Sequence, residues 1–328
     1  MTELDQALAP IKATFDGYRS WYDALDPAIR DAASRLLAGA VDAHVHCDPS
    51  LTRRSADVFE AAEAASRAHM RAMVIKDHHA HTEELAWLAQ RHADIAAPFE
   101  VFGSTWLNNY AGGWNVFAVD RAILFGARII GAPTVSARGQ LAQTESMFGP
   151  GGQHPADLAV TSVRPPRQPI AVPTLDDRGH VLPEVLECVD LIADAGNVVL
   201  GGGHLDQGEL FTLVRTAAER GVRRICLTHA TLFTSADMEE LRELCLETGA
   251  VCELSSIEIL GWGASLADDI RTLGLENVIL STDAGFFLMP AQVTAYTQML
   301  ARLLEAGLTE AEISIGARQV PARLLDLA

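Results

Sequence analysis

The chain is short of positive charge, of paired cysteines and of long apolar runs, and each shortage argues against a class of function. Lys and Arg number 25 against 43 Asp and Glu, a formal charge of −18, and no basic run exceeds a pair. Nucleic acid and anionic membrane surfaces need a clustered positive field, so neither is an expected partner. The 5 cysteines, Cys47, Cys188, Cys226, Cys245 and Cys252, are odd in number and nowhere spaced CxxC, which fits reduced thiols. No apolar stretch reaches the length of a membrane span, and the acidic, charged N-terminus lacks a signal-peptide pattern. A cytoplasmic protein acting on a small-molecule substrate, as a homo-oligomer, is expected. Gly201-Gly-Gly203 lacks the lysine of a phosphate-binding P-loop and reads as room for a site beside it.

What the chain does have is a period. Apolar runs begin near Val41, Ala72, Glu100, Arg128, Asn197, Arg223, Ala250 and Asn277, spaced by 26 to 31 residues except for one gap of 69. Helical patterns such as Ser55 to His69, Asp206 to Arg220 and Ser235 to Thr248 fill the intervals. Strands alternating with helices of that length form parallel sheets through right-handed crossovers, and eight such units close into an α/β (β/α)8 TIM barrel. A single barrel domain over residues 1–328 is expected, since barrels of this size hold one core. Residues 1–40 read as helices outside the barrel, Leu4 to Tyr18 and Pro27 to Leu37. Gln292 to Glu305 and Thr309 to Leu325 close the fold. The long gap is one unit plus an insertion, residues 139–181, whose Gly149-Pro-Gly-Gly152 and Arg164-Pro-Pro-Arg-Gln-Pro169 predict a long loop. It reads as a lid with His154, Arg164 and Arg167 in reach of substrate, or as an oligomer-contacting arm.

Chemistry-bearing residues collect at the strand ends. Asp42-Ala-His44-Val-His46 sets a carboxylate and two imidazoles at alternate positions of the first strand, Ala40 to His46, and alternate side chains share a face. Val198 to His204 ends unit five, Ile225 to His229 ends unit six, and Val278 to Asp283 ends unit eight. One histidine at a strand end is more often a core residue than a ligand. Four histidines and an aspartate converging on the end of a barrel that carries its chemistry form a metal centre, and imidazole-rich sets suit zinc.

This layout resembles the amidohydrolase superfamily of metal-dependent hydrolases, with HxH on strand one, single histidines on strands five and six, and an aspartate on strand eight. Val74-Ile-Lys-Asp-His78, Gly112-Gly-Trp-Asn115, Gly131-Ala-Pro-Thr134, Gly203-His-Leu205 and Pro321-Ala-Arg-Leu-Leu325 are similar to a little-characterised amidohydrolase-like branch. The resemblance implies metal ligation by His44, His46, His204, His229 and Asp283, one or two divalent ions, and a catalytic proton-transfer role for Asp283. Many two-metal members carry a carboxylated lysine or a glutamate on strand four, and Arg128-Ile-Ile-Gly-Ala-Pro-Thr134 offers neither.

Lys76, emerging from the apolar run of strand two, is the candidate replacement. Burial favours its neutral amine, which can become a carbamate bridging two metals. The alternatives are an anion anchor or an ion pair with Asp77 or Asp283. His78 shares its parity and faces substrate or metal, whereas His79 and His81 read as loop residues. Glu253, in the apolar strand Val251 to Ser255, needs a partner when buried, either near the metal or in a barrel arginine. Substrate donors are expected from Arg53 and Arg54 after strand one, Trp106, Asn108 and Asn109 after strand three, and Arg138 after strand four. Hydrolysis of an amide, cyclic amide, lactone or related ester is the leading activity. A metal-assisted lyase, a phosphoesterase and a non-catalytic metal protein are the alternatives.

Overall fold

The computed structural model describes residues 3–148, 160–161 and 166–327. Eight parallel strands follow one another in sequence order: β1 (Val41–Val45), β2 (Ala72–Ile75), β3 (Glu100–Trp106), β4 (Ile129–Gly131), β5 (Val199–Gly201), β6 (Ile225–Leu227), β7 (Val251–Ser255) and β8 (Val278–Ser281). Each begins within two residues of where the period sets it. The ring closes just beyond β8, where Val45 bridges Ala284, the His46 N–H donates to the Ala284 carbonyl at 2.8 Å and the Asp283 N–H to that of His44 at 3.0 Å. The fold is a (β/α)8 barrel.

Alternation along the strands separates two cores. Val41, Ala72, Val74, Trp106, Ile129, Val199, Cys226, Val251 and Ile279 form the barrel interior. Met73, Ile75, Ile130, Leu200, Leu227, Cys252 and Leu254 join the larger layer under the helices, as does Cys47, a packing residue as expected. The helix Val320–Leu324 lends Val320, Leu324 and Leu325 to the interior cluster and plugs the end where strands begin. Arg224, just before β6, ties it there by donating to the Leu324 carbonyl at 3.1 Å. That leaves the other end, where the strands finish, to carry the loops.

Local signals fix many helix starts. Asp57 with Glu60 and Asp237 with Glu240 form reciprocal capping boxes on Val58–Arg67 and Met238–Thr248. Four elements depart from the pattern. The first helix runs Glu3–Ala24, and its Trp21 indole donates to Glu305 at 3.2 Å, which docks the N-terminal helices outside the barrel. The closing segment splits into Glu310–Ser314, a π-turn Ile315–Gln319 and Val320–Leu324. The insertion opens on a helix, Arg138–Phe148, because the breakers come only after it. And β1 does not alternate strictly: its register slips between Asp42 and Val45, inserting one residue opposite β2.

Candidate metal centre

The slip in β1 decides what the motif presents. Val41 and Ala43 point into the barrel and Val45 points outward. His44 follows Ala43 inward instead of taking the outer face, and His46 resumes the inward parity. Asp42 is turned away from both histidines, a correction to the shared face that simple alternation predicts. Its carboxylate accepts from the Thr282 N–H at 3.0 Å, the Thr282 hydroxyl at 2.7 Å and the Gln292 amide at 3.0 Å.

His204, His229 and Asp283 arrive from just past β5, β6 and β8. His229 and Asp283 hold left-handed backbone, φ 49° and 50°. Non-glycine residues there carry local strain, and such strain gathers at functional positions. Here it turns two side chains over the barrel mouth.

The ligand atoms converge. His44 Nε2 lies 3.3 Å from His46 Nε2, Asp283 Oδ1 lies 2.8 Å from His44 Nε2 and 3.1 Å from His46 Nε2, and Asp283 Oδ2 lies 3.5 Å from His229 Nε2. Ligating atoms of His44, His229 and Asp283 fall within 4.8 Å of one another. Donors bonded tetrahedrally to zinc at about 2.0–2.1 Å stand roughly 3.3 Å apart, so the spacing fits a coordination sphere.

The other ring nitrogens say the same. His44 Nδ1 is 2.8 Å from Glu253 Oε1, His229 Nδ1 is 3.2 Å from Glu258 Oε2, and His204 Nδ1 is 2.9 Å from Gln140 Oε1. These partners accept, so each Nδ1 carries a proton, which leaves each Nε2 as the nitrogen that would face a cation. With no cation present, a proton between His44 Nε2 and Asp283 Oδ1 offsets the charge of the carboxylate, and a divalent ion would take its place. Carboxylates behind imidazoles are the usual outer support of metal ligands. Glu253 is itself held by the Ser281 hydroxyl, and Glu258 by the Thr231 hydroxyl and the Ser255 N–H. His204 also stacks on Phe233, ring centroids 4.3 Å apart, and its buried Nε2 has no hydrogen-bond partner among the described residues.

Charge follows the contacts. Burial pushes the His44 imidazole down, but Asp283 and Glu253 outweigh it and raise it to about 9. Burial would raise Glu253, yet the charge and hydrogen bond of His44 bring it to about 2. Asp283, against its burial, is held well below the usual carboxylate range by His44 and His46. His204 and His78 are pushed well down by burial.

Lys76 stands on the inward parity of β2, buried, with its ammonium 4.1 Å from the centroid of Trp106 and no hydrogen-bond partner among the described residues. Burial lowers its amine to about 8. Neither ion pair weighed from the sequence forms a hydrogen bond to it; Asp77 instead faces Arg54, 3.6 Å away. Trp106 ends β3 and points into the barrel, where it also stacks on His44, and is not a loop residue at the mouth. Its indole fills the place a strand-four ligand would take: a Cβ on Gly131 would stand 2.2 Å from Trp106 Cε3, and one on Gly201 2.9 Å from Cη2. Gly201 therefore makes room for the indole under the site.

At the mouth, His78 Nδ1 meets the Thr134 hydroxyl at 2.9 Å and its ring lies 4.9 Å from His46 and 6.1 Å from His204. Asn108 is saturated, accepting from the Thr134 and Ser136 N–H groups and donating to Thr134 Oγ1 and the His78 carbonyl. It holds the loops after β2, β3 and β4 together. Asn109 accepts from the Ser136 hydroxyl and the Ile170 N–H. Arg54 is buried, its Nε donating to Ser50 at 3.2 Å, while Arg53 is exposed over Phe287. Arg138 lies half-exposed beside Glu209, Nε to Oε1 4.0 Å. His81 turns to Thr105 at 2.7 Å, and His79 packs against Tyr110, as loop residues do. The Arg167 N–H donates to the Tyr110 hydroxyl, whereas His154 and Arg164 lie outside the described residues.

A family model described as "Family of unknown function (DUF6282)" matches residues 39–253. The chain belongs to this family. The matched stretch of this DUF6282 member holds His44, His46, Lys76, His204, His229 and Glu253, and ends before Asp283. Among solved structures, the chain is similar to an amidohydrolase from Pseudomonas aeruginosa, at 10% identity over 92% of this chain and 98% of that one, TM-score 0.53. It is also similar to the probable dipeptidase PvdM from Pseudomonas aeruginosa, at 12% identity over 92% and 98%, TM-score 0.53. Both likenesses are of fold: this DUF6282 member shares its barrel architecture with the two structures. A comparison with curated proteins returned no match.

Sequence reasoning missed Glu258, Gln140 and Phe233. Ser255-Ser-Ile-Glu258 carries a capping-box spacing after β7 that could have flagged Glu258. Gln140 and Phe233 carry no local signal, since only the fold brings them to His204.

Proposed function

We propose that this protein is a metal-dependent hydrolase acting on an amide, cyclic amide, lactone or related ester of a small molecule. The observation that carries the reading is the convergence of His44 Nε2, His46 Nε2 and Asp283 Oδ1 within 3.3 Å, with Glu253 fixing the tautomer of His44 from behind. His44, His46, His204, His229 and Asp283 would hold one or two divalent ions, and the imidazole-rich set favours zinc. When bound, such an ion supplies Lewis acidity toward a carbonyl oxygen and lowers the pKa of a water to about 7.

The remaining work falls to this chain's side chains. Asp283, its side chain 20% exposed at the mouth, has Oδ1 shared by two imidazoles and Oδ2 beside a third. Ionised at rest, it orients water through one oxygen, takes its proton and returns it to the leaving group. His78, fixed through Nδ1 by Thr134, presents its other nitrogen to substrate. Trp106 and the loops pinned by Asn108 exclude bulk water from below and from the side.

Lys76 is assigned a further part. Of the 25 cationic residues the chain has two lysines, Lys12 and Lys76, so an arginine-using sequence keeps an amine at this buried place. Guanidinium stays protonated, whereas a desolvated amine can lose its proton. The neutral amine would add carbon dioxide through a new N–C bond and release one proton, giving a carbamate whose oxygens would join the residues that hold the metal. Its position on β2, above an indole that closes β4, replaces a strand-four ligand.

The test is metal analysis of the purified protein with turnover of amide, lactone, ester and phosphoester panels. Bound divalent metal, hydrolysis of a carbonyl substrate and loss of both in His44→Ala are expected. Retention of metal and activity in His44→Ala overturns the centre. For Lys76, intact-mass measurement in bicarbonate should find one added carbon dioxide that Lys76→Arg lacks, and short carboxylic acids should restore Lys76→Ala. An unmodified lysine with no such rescue rejects the bridge.

A further inference from the structure

The helix Val116–Leu124 is apolar on both sides, and the barrel accounts for one of them. Val119 and Ala122 are buried against the core, yet Phe117 is 81% exposed, Leu124 77% and Phe125 57%. On the neighbouring helix, Glu83–His92, Trp87 is 54% exposed and Leu88 40%. Arg121 ties the two helices by reaching Glu83 at 3.3 Å and Glu84, and one turn further along lie Leu124 with Phe125 on one helix and Trp87 with Leu88 on the other. These five side chains expose on the order of 600 Å². That is at the upper end of what a monomer leaves in one patch and close to the roughly 800 Å² per partner of a standard interface.

The order of residues names the occupant. About a point between Asp120 and Arg121, the outward row reads the same in both directions by character: Phe117 answers Leu124, Val116 answers Phe125, and Asp120 answers Arg121. Asp120 is exposed and has no ion pair among the described residues. An isologous contact needs one surface that complements itself under a two-fold rotation. Two of these helices packed antiparallel give it: the apolar ends cover each other, and each Asp120 meets the other copy's Arg121 near the axis, where that guanidinium is shared with its own Glu83 and Glu84. With a formal charge of −18 on each chain, two copies repel over most of their surface. An opposite-charge pair at the axis, ringed by aromatic contacts, supplies the complementarity that a stable face requires.

We propose that this flank seats a second copy of the chain, forming a two-fold dimer through Phe117, Asp120, Arg121, Leu124 and Phe125, with Trp87 and Leu88 at its edge. The interface lies on the outer helical layer, so both barrel mouths stay open and the dimer is independent of the hydrolase reading.

Sedimentation equilibrium of the full-length, metal-loaded protein tests it. The wild type should sediment at twice 35.3 kDa at micromolar concentration. Phe117→Glu and Leu124→Glu should sediment as monomers with unchanged circular dichroism and metal content. Asp120→Arg, at an exposed site with no partner in its own copy, leaves the monomer fold intact and should raise the dimer dissociation constant at least tenfold. A monomeric wild type, including one whose flank binds another protein, overturns the proposal. So does a dimer that survives Phe117→Glu or is indifferent to Asp120→Arg.

Discussion

His44 divides its two nitrogens between a buried acid and the centre itself. Nδ1 is committed to Glu253, and Nε2 lies 2.8 Å from Asp283 Oδ1, the distance of a shared proton when no cation is there. With the imidazole raised to about 9, that proton must leave as a divalent ion enters. The sign follows: metal competes with a proton below pH about 9, so affinity should rise by close to tenfold per pH unit from 7 and level off above 9. Glu253→Gln separates two effects of the acid. It removes one cause of the raised imidazole, so the plateau should begin at lower pH, and it loosens the ring, so plateau affinity should fall about 10- to 100-fold. Calorimetric titration with zinc across pH reads both. An unshifted plateau and unchanged affinity would remove Glu253 from the centre. That His44 and His46 share a face and that Lys76 follows the end of a strand were legible as sequence properties, whereas the slip that turns both histidines inward was not. Glu253 was visible as a charge that had to be paired, though not with which partner.

At the scale of elements, the β1–β8 seam depends on a residue the motif disguised. Strict alternation puts Asp42 with the histidines, but a bulge leaves no mark in a five-residue strand whose burial is complete throughout. In the folded chain Asp42 gathers the Thr282 N–H, the Thr282 hydroxyl and the Gln292 amide, and the Tyr296 hydroxyl sits 2.8 Å from the Leu280 carbonyl and 3.1 Å from that of Val41. Side chains thus stitch a junction where the regular strand ladder runs out. Asp42→Ala would strand buried donors and should cost about 3 kcal/mol, with Asp42→Asn milder because one acceptor oxygen remains. Chemical denaturation measures the difference, and equal loss in both variants would contradict a role as acceptor. The long insertion shows the opposite limit. Its glycine cluster lies outside the described residues, and the loop reading hid Arg138–Phe148, which supplies Gln140 to His204.

Over the whole molecule, the strand period was the most legible feature, since a barrel repeats one sheet-and-helix unit and hydrophobic spacing records each repeat. What the period cannot report is contact between units far apart in the chain, and most of the support behind the histidines is of that kind. The barrel also separates stability from chemistry, with the plug at one end and the centre at the other. Leu325, fully buried in the plug, tests this division. Leu325→Ala should lower unfolding free energy by about 3 kcal/mol while leaving zinc affinity within twofold. Denaturant melts beside calorimetry make the comparison, and a large affinity loss would mean that the two ends are coupled.

Trp106 has a bearing on how this lineage can change. A ligand at position 131 collides with the indole, and shrinking the indole alone leaves a hole beside Gly131 and Gly201 and takes the ring from under Lys76. A descendant could acquire a side chain on β4 that reaches the site only through simultaneous replacement at several positions, each harmful when made first. The steric arrangement thus works as a one-way gate in sequence space.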